Sequence, residues 1–412
     1  MKNTNRWIIL IAHIGVNIVL GGVYAFTIFA TPLAEQFGWS KPDIMIAFSI
    51  NMGIIPIPMV LGGKLLDQGK GKTAILLGGI LFSLGFILTG FAKSLPMLYL
   101  TYGLIAGVGS GICFTGTLNN SLKFFPDKRG LASGLVLSGV GIGTMLCSMI
   151  ATNLLNSFGA TQAFLYLGIG YLVLILVLSF FIQSAPAAGY QVAGASTQAK
   201  ATKATAAPKT TVIDKNWKEM LQDPRFYVMA LILALGAFSG MMVSSNAAQI
   251  GQQMFAITAA VAAVVVSLNS IFNSLGRIIW GSVSDKLGQY TTLILIYGLL
   301  GVCMILLRIA NGNTMFFYIA AVGTGFCYAG VLSVFPSLTS NTFGLKNQGL
   351  NYAFMYIGFS IAAFAGPRIA ASLAETAGGS YNLPFVIALV LIAIGIGLLF
   401  LLKKMQAKKI NG

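Results

Sequence analysis

Acidic side chains are scarce in this sequence of 412 residues, which contains nine Asp and Glu against 25 Lys and Arg. Charged residues make up 8% of the chain, whereas a soluble domain contains about 25%. A single histidine and four cysteines supply too few groups for a metal cluster or for a nucleophile–base pair. These shortages exclude an ordinary soluble protein, and they argue against an enzyme, a metal site or any other cofactor.

Apolar residues, in contrast, make up 57% of the chain. Twelve apolar runs are long enough to cross, as helices, a hydrocarbon core of about 30 Å. The predicted spans are 7–30, 44–64, 73–92, 97–122, 131–156, 161–183, 226–249, 257–281, 291–309, 314–337, 351–374 and 383–402. We therefore expect an all-α membrane protein with twelve transmembrane helices. All four cysteines fall within spans, so no disulfide is expected.

Basic residues lie mainly at both ends of the chain, in its central linker and in every second loop. By the positive-inside rule these segments face the cytoplasm. The net charge of +16 is therefore expected to orient the protein in the membrane rather than to bind nucleic acid.

The two halves of the chain repeat each other. Asp67 follows the second predicted span and Asp285 the eighth, 218 residues later. Gly130 and Gly349 follow spans four and ten and are 219 residues apart. Two landmarks with nearly one offset indicate a duplication of six spans. The predicted parts are an N-terminal six-helix bundle at 1–184, a cytoplasmic linker at 185–222 and a C-terminal six-helix bundle at 223–412.

Asp67 and Asp285 each stand at the end of a predicted span, next to a turn rich in Gly and Lys. A carboxylate there can accept hydrogen bonds from the N-terminus of a neighbouring helix and attract a basic side chain such as Arg129. These residues could therefore form a latch between the two bundles. Alternatively, each Asp only caps its own helix.

Arg277 lies inside span eight, eight residues before Asp285 and hence about 12 Å deeper in the membrane. Every acidic residue falls in a predicted loop, in the linker or at a helix end, so we expect no protein carboxylate beside it. A substrate carboxylate would fit the donor fork of the guanidinium. The alternatives are an arginine that reaches the membrane interface or bonds to backbone carbonyls. Asn273, one turn earlier, could bind the same ligand or orient Arg277.

Other side chains within the spans are candidates for the same cavity. Tyr24 in span one could offer its hydroxyl to an anion, Tyr328 in span ten could face the cavity, and Phe359 lies near the middle of span eleven. His13, the only histidine, is a candidate proton site, although a lone histidine on an apolar helix is more often a hydrogen-bonded structural residue.

Four motifs carry a resemblance to a known family. They are "FPDKRGLASG" (125–134), "GRIIWGSVSDKLG" (276–288), "VFPSLTSNTFG" (334–344) and "NYAFMYIGF" (351–359). With them, the chain resembles the oxalate:formate antiporter family of the major facilitator superfamily, which includes bacterial lactate and pyruvate transporters. The resemblance implies that Arg277 binds the substrate carboxylate and that Tyr24, Phe114 and Tyr328 line the cavity.

Two departures from related proteins bear on the substrate and on coupling. Oxalate carriers of the family have a lysine in span eleven where this chain has Phe359. A single cation suits a monocarboxylate better than a dianion. Animal monocarboxylate transporters have an Asp, used in proton coupling, where this chain has Asn273. A proton would then travel with the Arg277–substrate pair, with His13 or with the substrate itself.

The sequence thus predicts a secondary active transporter of the major facilitator superfamily fold in the bacterial cytoplasmic (inner) membrane. We expect it to act as a monomer that moves a small monocarboxylate, L-lactate or pyruvate, together with a proton by alternating access. The alternative is an exchanger of formate, oxalate or other small carboxylates. A sensor would need a soluble output domain, which the linker is too short to supply, and an ion channel is excluded less firmly.

Overall fold

The structure is a computed structural model that describes residues 5–186, 214–310 and 312–410. These residues form helices, turns and loops, and no strand occurs among them. Twelve helices are long and apolar enough to cross a membrane. They are α1 (Arg6–Phe37), α2 (Lys41–Asp67), α3 (Gly71–Thr89), α4 (Leu95–Phe124), α5 (Arg129–Phe158), α6 (Ala160–Ser179), α7 (Pro224–Phe255), α8 (Ala259–Leu287), α9 (Gln289–Ile309), α10 (Thr314–Phe343), α11 (Gln348–Thr376) and α12 (Asn382–Ile410).

The prediction of twelve spans is confirmed, but several helices run beyond their predicted ends. The apolar run at 257–281, for example, starts two residues before α8 begins and ends six residues before α8 ends, since α8 spans Ala259–Leu287. The Thr258 side chain accepts a hydrogen bond from the Val261 amide, and Gly288, with φ of 82°, ends the helix. Apolar runs mark the part of a helix in hydrocarbon, whereas capping residues mark where the backbone stops being helical.

The helices form two six-helix bundles. The buried apolar side chains of α1–α6 make one core around residues such as Phe26, Phe82 and Phe164. A second core fills α7–α12 and extends between the bundles through Met59 of α2 and Val136 of α5. The bundles meet chiefly where α2 contacts α11 and where α5 contacts α8. The repeat relates these two contacts, because α8 is the counterpart of α2 and α11 is the counterpart of α5.

The predicted linker falls mostly outside the described residues, except for its two ends. At its second end the predicted surface helix is present as Trp217–Leu221, where Asn216 and Glu219 form a capping box. The Lys215 amide donates to the carbonyl of Phe343, and the ring of Trp217 stacks on Phe354 at 5.4 Å. This end of the linker is therefore held against the loop between α10 and α11.

Asp223 begins α7 and is buried, with 8% of its surface exposed. Its carboxylate accepts hydrogen bonds from the Arg225 guanidinium and, at 2.6 Å, from the Lys215 ammonium. Burial alone would raise the pKa of Asp223, but the hydrogen bonds from Arg225 and Lys215 outweigh it and hold the pKa well below its usual range. The carboxylate is therefore charged at neutral pH and joins the linker to α7.

Replacing Asp223 by Asn should lower the melting temperature of the purified protein by a few degrees at pH 7, because the ion pairs are lost. A carboxylate whose pKa is depressed on folding stabilises the protein above its unfolded pKa, and this stability is lost as the pH falls through the folded pKa. The difference from the wild type should therefore shrink below pH of about 4. Glu375→Gln is the control, because Glu375 is exposed near the end of α11, on the side of the protein opposite to Asp223. A difference that does not change between pH 7 and pH 3 would contradict the assignment.

Candidate functional site

A small cavity lies between the two bundles at the level of Arg277, with a volume of about 80 Å³. Pockets that hold drug-sized ligands measure roughly 300–1,000 Å³. The residues predicted for a substrate site and found in its wall are Tyr24, Phe114, Arg277, Tyr328 and Phe359. Both bundles therefore contribute to one enclosure that suits only a very small ligand.

Arg277 carries the positive charge of this cavity. One of its terminal nitrogens donates a hydrogen bond to the backbone carbonyl of Leu137 in the other bundle. Its Nε is buried without a hydrogen-bond partner among the described residues. The ion pairs of the described residues all lie elsewhere, and none includes Arg277. The prediction that Arg277 could bond to backbone carbonyls therefore holds for one of its five N–H groups. No carboxylate of the described residues pairs with its charge.

Asn273 does not line the cavity with the other predicted residues. Its amide nitrogen donates to the carbonyl of Gly325 in α10 at 3.1 Å. Asn269, one turn earlier, donates in the same way to the carbonyl of Ala321 at 2.6 Å. Because Asn269, Asn273 and Arg277 follow each other at intervals of four, these bonds fix the rotation of α8 that turns Arg277 towards the cavity.

Three polar residues of the cavity wall were not predicted from the sequence, namely Ser110, Tyr352 and Tyr356. The ring of Tyr356 lies 5.7 Å from that of Phe114 and 4.7 Å from that of Phe359, so it joins the aromatic side of the cavity. Tyr352, Tyr356 and Phe359 are spaced four and three residues apart. That spacing places them on one face of α11, and it is a signal that could have identified both tyrosines.

His13, the candidate proton site, is fully buried and lies apart from the cavity wall. Its Nδ1 lies 2.6 Å from the hydroxyl of Ser121, and its Nε2 lies 3.3 Å from the amide nitrogen of Asn120. Ser121 already donates its hydroxyl proton to the carbonyl of Thr117, so Nδ1–H donates to Ser121 and Nε2 accepts from Asn120. Both ring nitrogens are occupied as in a neutral structural histidine.

Asp67 and Asp285 join the bundles on the side where α1 begins and α12 ends, hereafter the terminus side. Asp285 accepts hydrogen bonds from the amides of Gly130 and Leu131 at the start of α5, both at 2.8 Å. Asp67 accepts from the amides of Gly349 and Leu350 at the start of α11, both at 3.0 Å. Each carboxylate thus binds the N-terminus of a helix in the other bundle, where the helix dipole favours a negative charge.

Glycine pairs bring the backbones together at both of these contacts. A Cβ on Gly281 would lie 2.1 Å from the carbonyl oxygen of Gly130. A Cβ on Gly63 would lie 2.5 Å from the carbonyl carbon of Gly349. Neither distance leaves room for a Cβ atom, so both contacts between the bundles require glycine at these positions.

Further polar contacts cross between the bundles on the terminus side. Arg129 donates to the side chains of Ser340 and Asn341 in α10. The fully buried Lys123 lies 3.5 Å from Asp67 and donates to the carbonyl of Lys346 at 3.3 Å. Among the described residues, Ser133 also donates to the carbonyl of Ser333 at 2.6 Å, and Arg277 makes a further hydrogen bond between the bundles. We refer to the contacts of Asp67, Arg129 and Asp285 as the gate, after the role that the sequence predicts for them, and all of these contacts are formed in this conformation.

The model of the Major Facilitator Superfamily matches residues 12–307 and 235–412 of the chain. The chain belongs to the major facilitator superfamily. It is 30% identical over 388 residues to the oxalate:formate antiporter of Oxalobacter formigenes, covering 93% of this chain and 88% of that protein. It is 25% identical over 348 residues to monocarboxylate transporter 12 of Xenopus laevis, covering 80% and 73%.

Solved structures of the major facilitator superfamily share the fold. The proton:xylose symporter XylE superposes with a TM-score of 0.70 at 14% identity and covers 97% of this chain and 95% of its own. FucP in the outward conformation gives a TM-score of 0.67 at 15% identity, with coverage of 95% and 98%. The chain is accordingly a multi-pass membrane protein of a transporter family rather than of an enzyme family, and its relatives support transport of small organic anions.

Replacing Gly281 by Val should hold the gate open, because the new side chain collides with the Gly130 carbonyl. Gly298→Val on α9 is the matched control, since nothing lies within 4 Å of a Cβ there. Spin labels at Lys70→Cys and Lys286→Cys, both exposed, would report the separation of the bundles by electron paramagnetic resonance. We expect a longer distance for Gly281→Val only. Equal distances in the two variants would contradict the closure described here.

Proposed function

We propose that this transporter carries small monocarboxylates, with L-lactate or pyruvate as the substrate, across the bacterial cytoplasmic membrane by alternating access. The observation that supports the proposal most strongly is the charge of Arg277, which has no carboxylate partner among the described residues and stands in a cavity of about 80 Å³. A guanidinium with free donors in a small cavity binds a carboxylate through paired hydrogen bonds. Tyr24, Phe114, Tyr328 and Phe359 would surround the short carbon tail.

The number of cations in the cavity favours a monoanion over a dianion. Arg277 is the one charged residue in the cavity wall of the described chain, and Phe359 stands where oxalate carriers have a lysine. A second carboxylate would therefore be buried without a counter-charge, which is costly. The competing function is exchange of formate, oxalate or similar anions, and the 30% identity with an oxalate:formate antiporter supports it.

The gate supports the proposed transport cycle. With the termini in the cytoplasm, as the basic loops favour, the closed gate seals the cytoplasmic side and the cavity faces outward. Binding of the anion neutralises Arg277, which also bonds to Leu137 of the other bundle. The charge of the loaded site is then compensated while the bundles rock, Asp67 and Asp285 release α11 and α5, and the substrate leaves inward. The described residues of one chain form the cavity and both Asp contacts, which supports a monomer as the transporting unit.

Proton symport is the proposed form of coupling. An anion that enters a cell alone moves against the membrane potential, whereas an anion that enters with a proton does not. Among the described residues no Asp, Glu or His lines the cavity, and His13 has a structural partner on each ring nitrogen. The proton would therefore travel with the Arg277–substrate pair rather than on a side chain of the cavity wall. Asn273, which bonds to Gly325, would position Arg277 rather than carry the proton.

Arg277→Ala should reduce uptake of labelled lactate and pyruvate into proteoliposomes to background, because removing one partner of a buried charge pair costs roughly 2–5 kcal/mol. Arg277→Lys should retain a small part of the activity, since it keeps the charge but loses the planar fork. Arg368→Ala is the control, because Arg368 is an exposed membrane arginine that stacks on Phe364 at 3.8 Å. Uptake at the wild-type rate by Arg277→Ala would overturn the site assignment.

The same vesicles separate symport from exchange. Symport predicts that an inward proton gradient drives uptake into vesicles that contain no carboxylate. Exchange predicts that uptake requires formate, oxalate or another carboxylate inside.

Phe359→Lys should shift the preference of the transporter towards dicarboxylates, because it adds a second cation to the cavity. The ratio of oxalate uptake to lactate uptake should rise roughly tenfold or more, which corresponds to a gain of about 1.4 kcal/mol for the dianion. Phe359→Met, which keeps the apolar character, is the control. An unchanged ratio in Phe359→Lys would contradict the argument from the number of cations.

A further inference from the structure

Several tyrosine hydroxyls of the cavity lack a partner in the protein. Tyr352 has 1% of its surface exposed and Tyr328 has 7%, and both line the cavity. Neither hydroxyl makes a hydrogen bond to a described residue, and the same holds for Tyr24 and Tyr356. In the core of the first bundle, by contrast, the Tyr102 hydroxyl donates to the Val23 carbonyl at 2.6 Å. Unlike the Tyr171 hydroxyl, which is fully enclosed without a hydrogen-bond partner among the described residues, these four hydroxyls are open to the cavity, where a ligand or water can bond to them.

The cavity has a surplus of hydrogen-bond donors. Four tyrosines can each donate one proton, and Arg277 has N–H groups beyond the one that Leu137 accepts. Ser110 already donates its hydroxyl to the carbonyl of Gly107 at 2.9 Å. No carboxylate, side-chain amide or imidazole lines this wall in the described part of the chain. A ligand with acceptors in addition to the two oxygens held by the guanidinium would satisfy this wall better than a ligand without them.

Two of the unpartnered tyrosines belong to α11, the helix that Asp67 holds at its N-terminus. Tyr352 follows Gly349 by three residues, and its backbone is therefore about 4.5 Å from the gate along the helix. Tyr356 is one turn further, with its ring 6.0 Å from that of Tyr352. Arg277 lies eight residues before Asp285, about 12 Å from the other gate contact. By depth, the α11 tyrosines thus lie between the gate and the guanidinium, and both share the wall of one cavity with Arg277.

We propose that the hydroxyls of Tyr352 and Tyr356 bind the oxygen at carbon 2 of a 2-oxo or 2-hydroxy monocarboxylate whose carboxylate lies on Arg277. Both kinds of acid present the same acceptor, and a 2-hydroxyl can donate in turn to the oxygen of the second tyrosine. The two residues then select against acids of the same length that lack this oxygen, such as propionate. This inference rests on the proposed function, since it requires that Arg277 holds the carboxylate.

The hydroxyls of Tyr352 and Tyr356 should make the transporter prefer acids with an oxygen at carbon 2. A site built to bond a polar group of its ligand rejects the analogue without that group, because its own polar atoms stay unpaired. The wild type should prefer pyruvate and L-lactate to propionate, which has the same three-carbon skeleton. Tyr352→Phe and Tyr356→Phe should each weaken inhibition by pyruvate roughly tenfold, the loss of about one buried hydrogen bond, and leave inhibition by propionate unchanged. Comparing inhibition by pyruvate with inhibition by L-lactate shows whether the site prefers the oxo acid or the hydroxy acid.

The experiment uses the full chain in proteoliposomes, with unlabelled acids competing against labelled pyruvate. Tyr166→Phe is the matched control, because Tyr166 is half-exposed on α6 and packs on Phe158. Where a variant transports too slowly, the rise in melting temperature that each acid causes in detergent reports binding instead. A pyruvate-to-propionate ratio that falls towards one supports the inference.

Other outcomes overturn it. If both acids weaken equally, the tyrosines only shape the cavity. If the ratio stays at the wild-type value, the hydroxyls do not contact the substrate, while uptake that still depends on Arg277 leaves the proposed function intact. If the wild type neither transports nor binds a monocarboxylate, the proposed function fails first.

Discussion

The unbalanced charge of Arg277 is the constraint on which the arrangement of the two bundles depends. Its guanidinium bonds to the Leu137 carbonyl across the interface, and Gly134 is packed so closely that a Cβ there would lie 2.2 Å from the Arg277 carbonyl oxygen. A charge buried between the bundles is stable only if dipoles or a counter-ion compensate it. Among the described residues, the protein supplies one hydrogen-bond acceptor to it, the Leu137 carbonyl. If a ligand carboxylate supplies the rest, as proposed, occupancy of the cavity and the energy of the interface are linked.

The internal repeat places two equivalent Asp contacts between the bundles. Asp67 binds the start of α11, and its counterpart Asp285 binds the start of α5, each through two backbone amides. The surroundings of the two contacts differ, because the buried Lys123 stands beside Asp67 whereas Arg129 extends from the opposite bundle beyond Asp285. The charged partner of Asp67 therefore moves with it, while Arg129 moves with the helix that Asp285 holds.

The sequence was sufficient for features that depend on composition and local spacing. The twelve spans follow from their apolar runs, and the depth of Arg277 follows from its distance to Asp285. The partners of Asp67 and Asp285 required tertiary structure, since Gly349 is 282 residues from Asp67. The bond from Asn273 to Gly325 likewise depends on how α8 packs on α10. Tyr352 and Tyr356 were within reach of the sequence, because their spacing from Phe359 already places them on one helix face.

The composition of the closed gate has a consequence for the energetics of opening. Asn119, Lys123 and Gln348 are all fully buried beside the gate, and Gln348 donates to Asn119 across the interface. These polar side chains become hydrated when they are exposed, so separation of the bundles exposes a polar surface rather than an apolar one. The transition should take up water, and solutes too large to enter the new opening would oppose it osmotically. The equilibrium between the closed and the open conformation then depends on the activity of water.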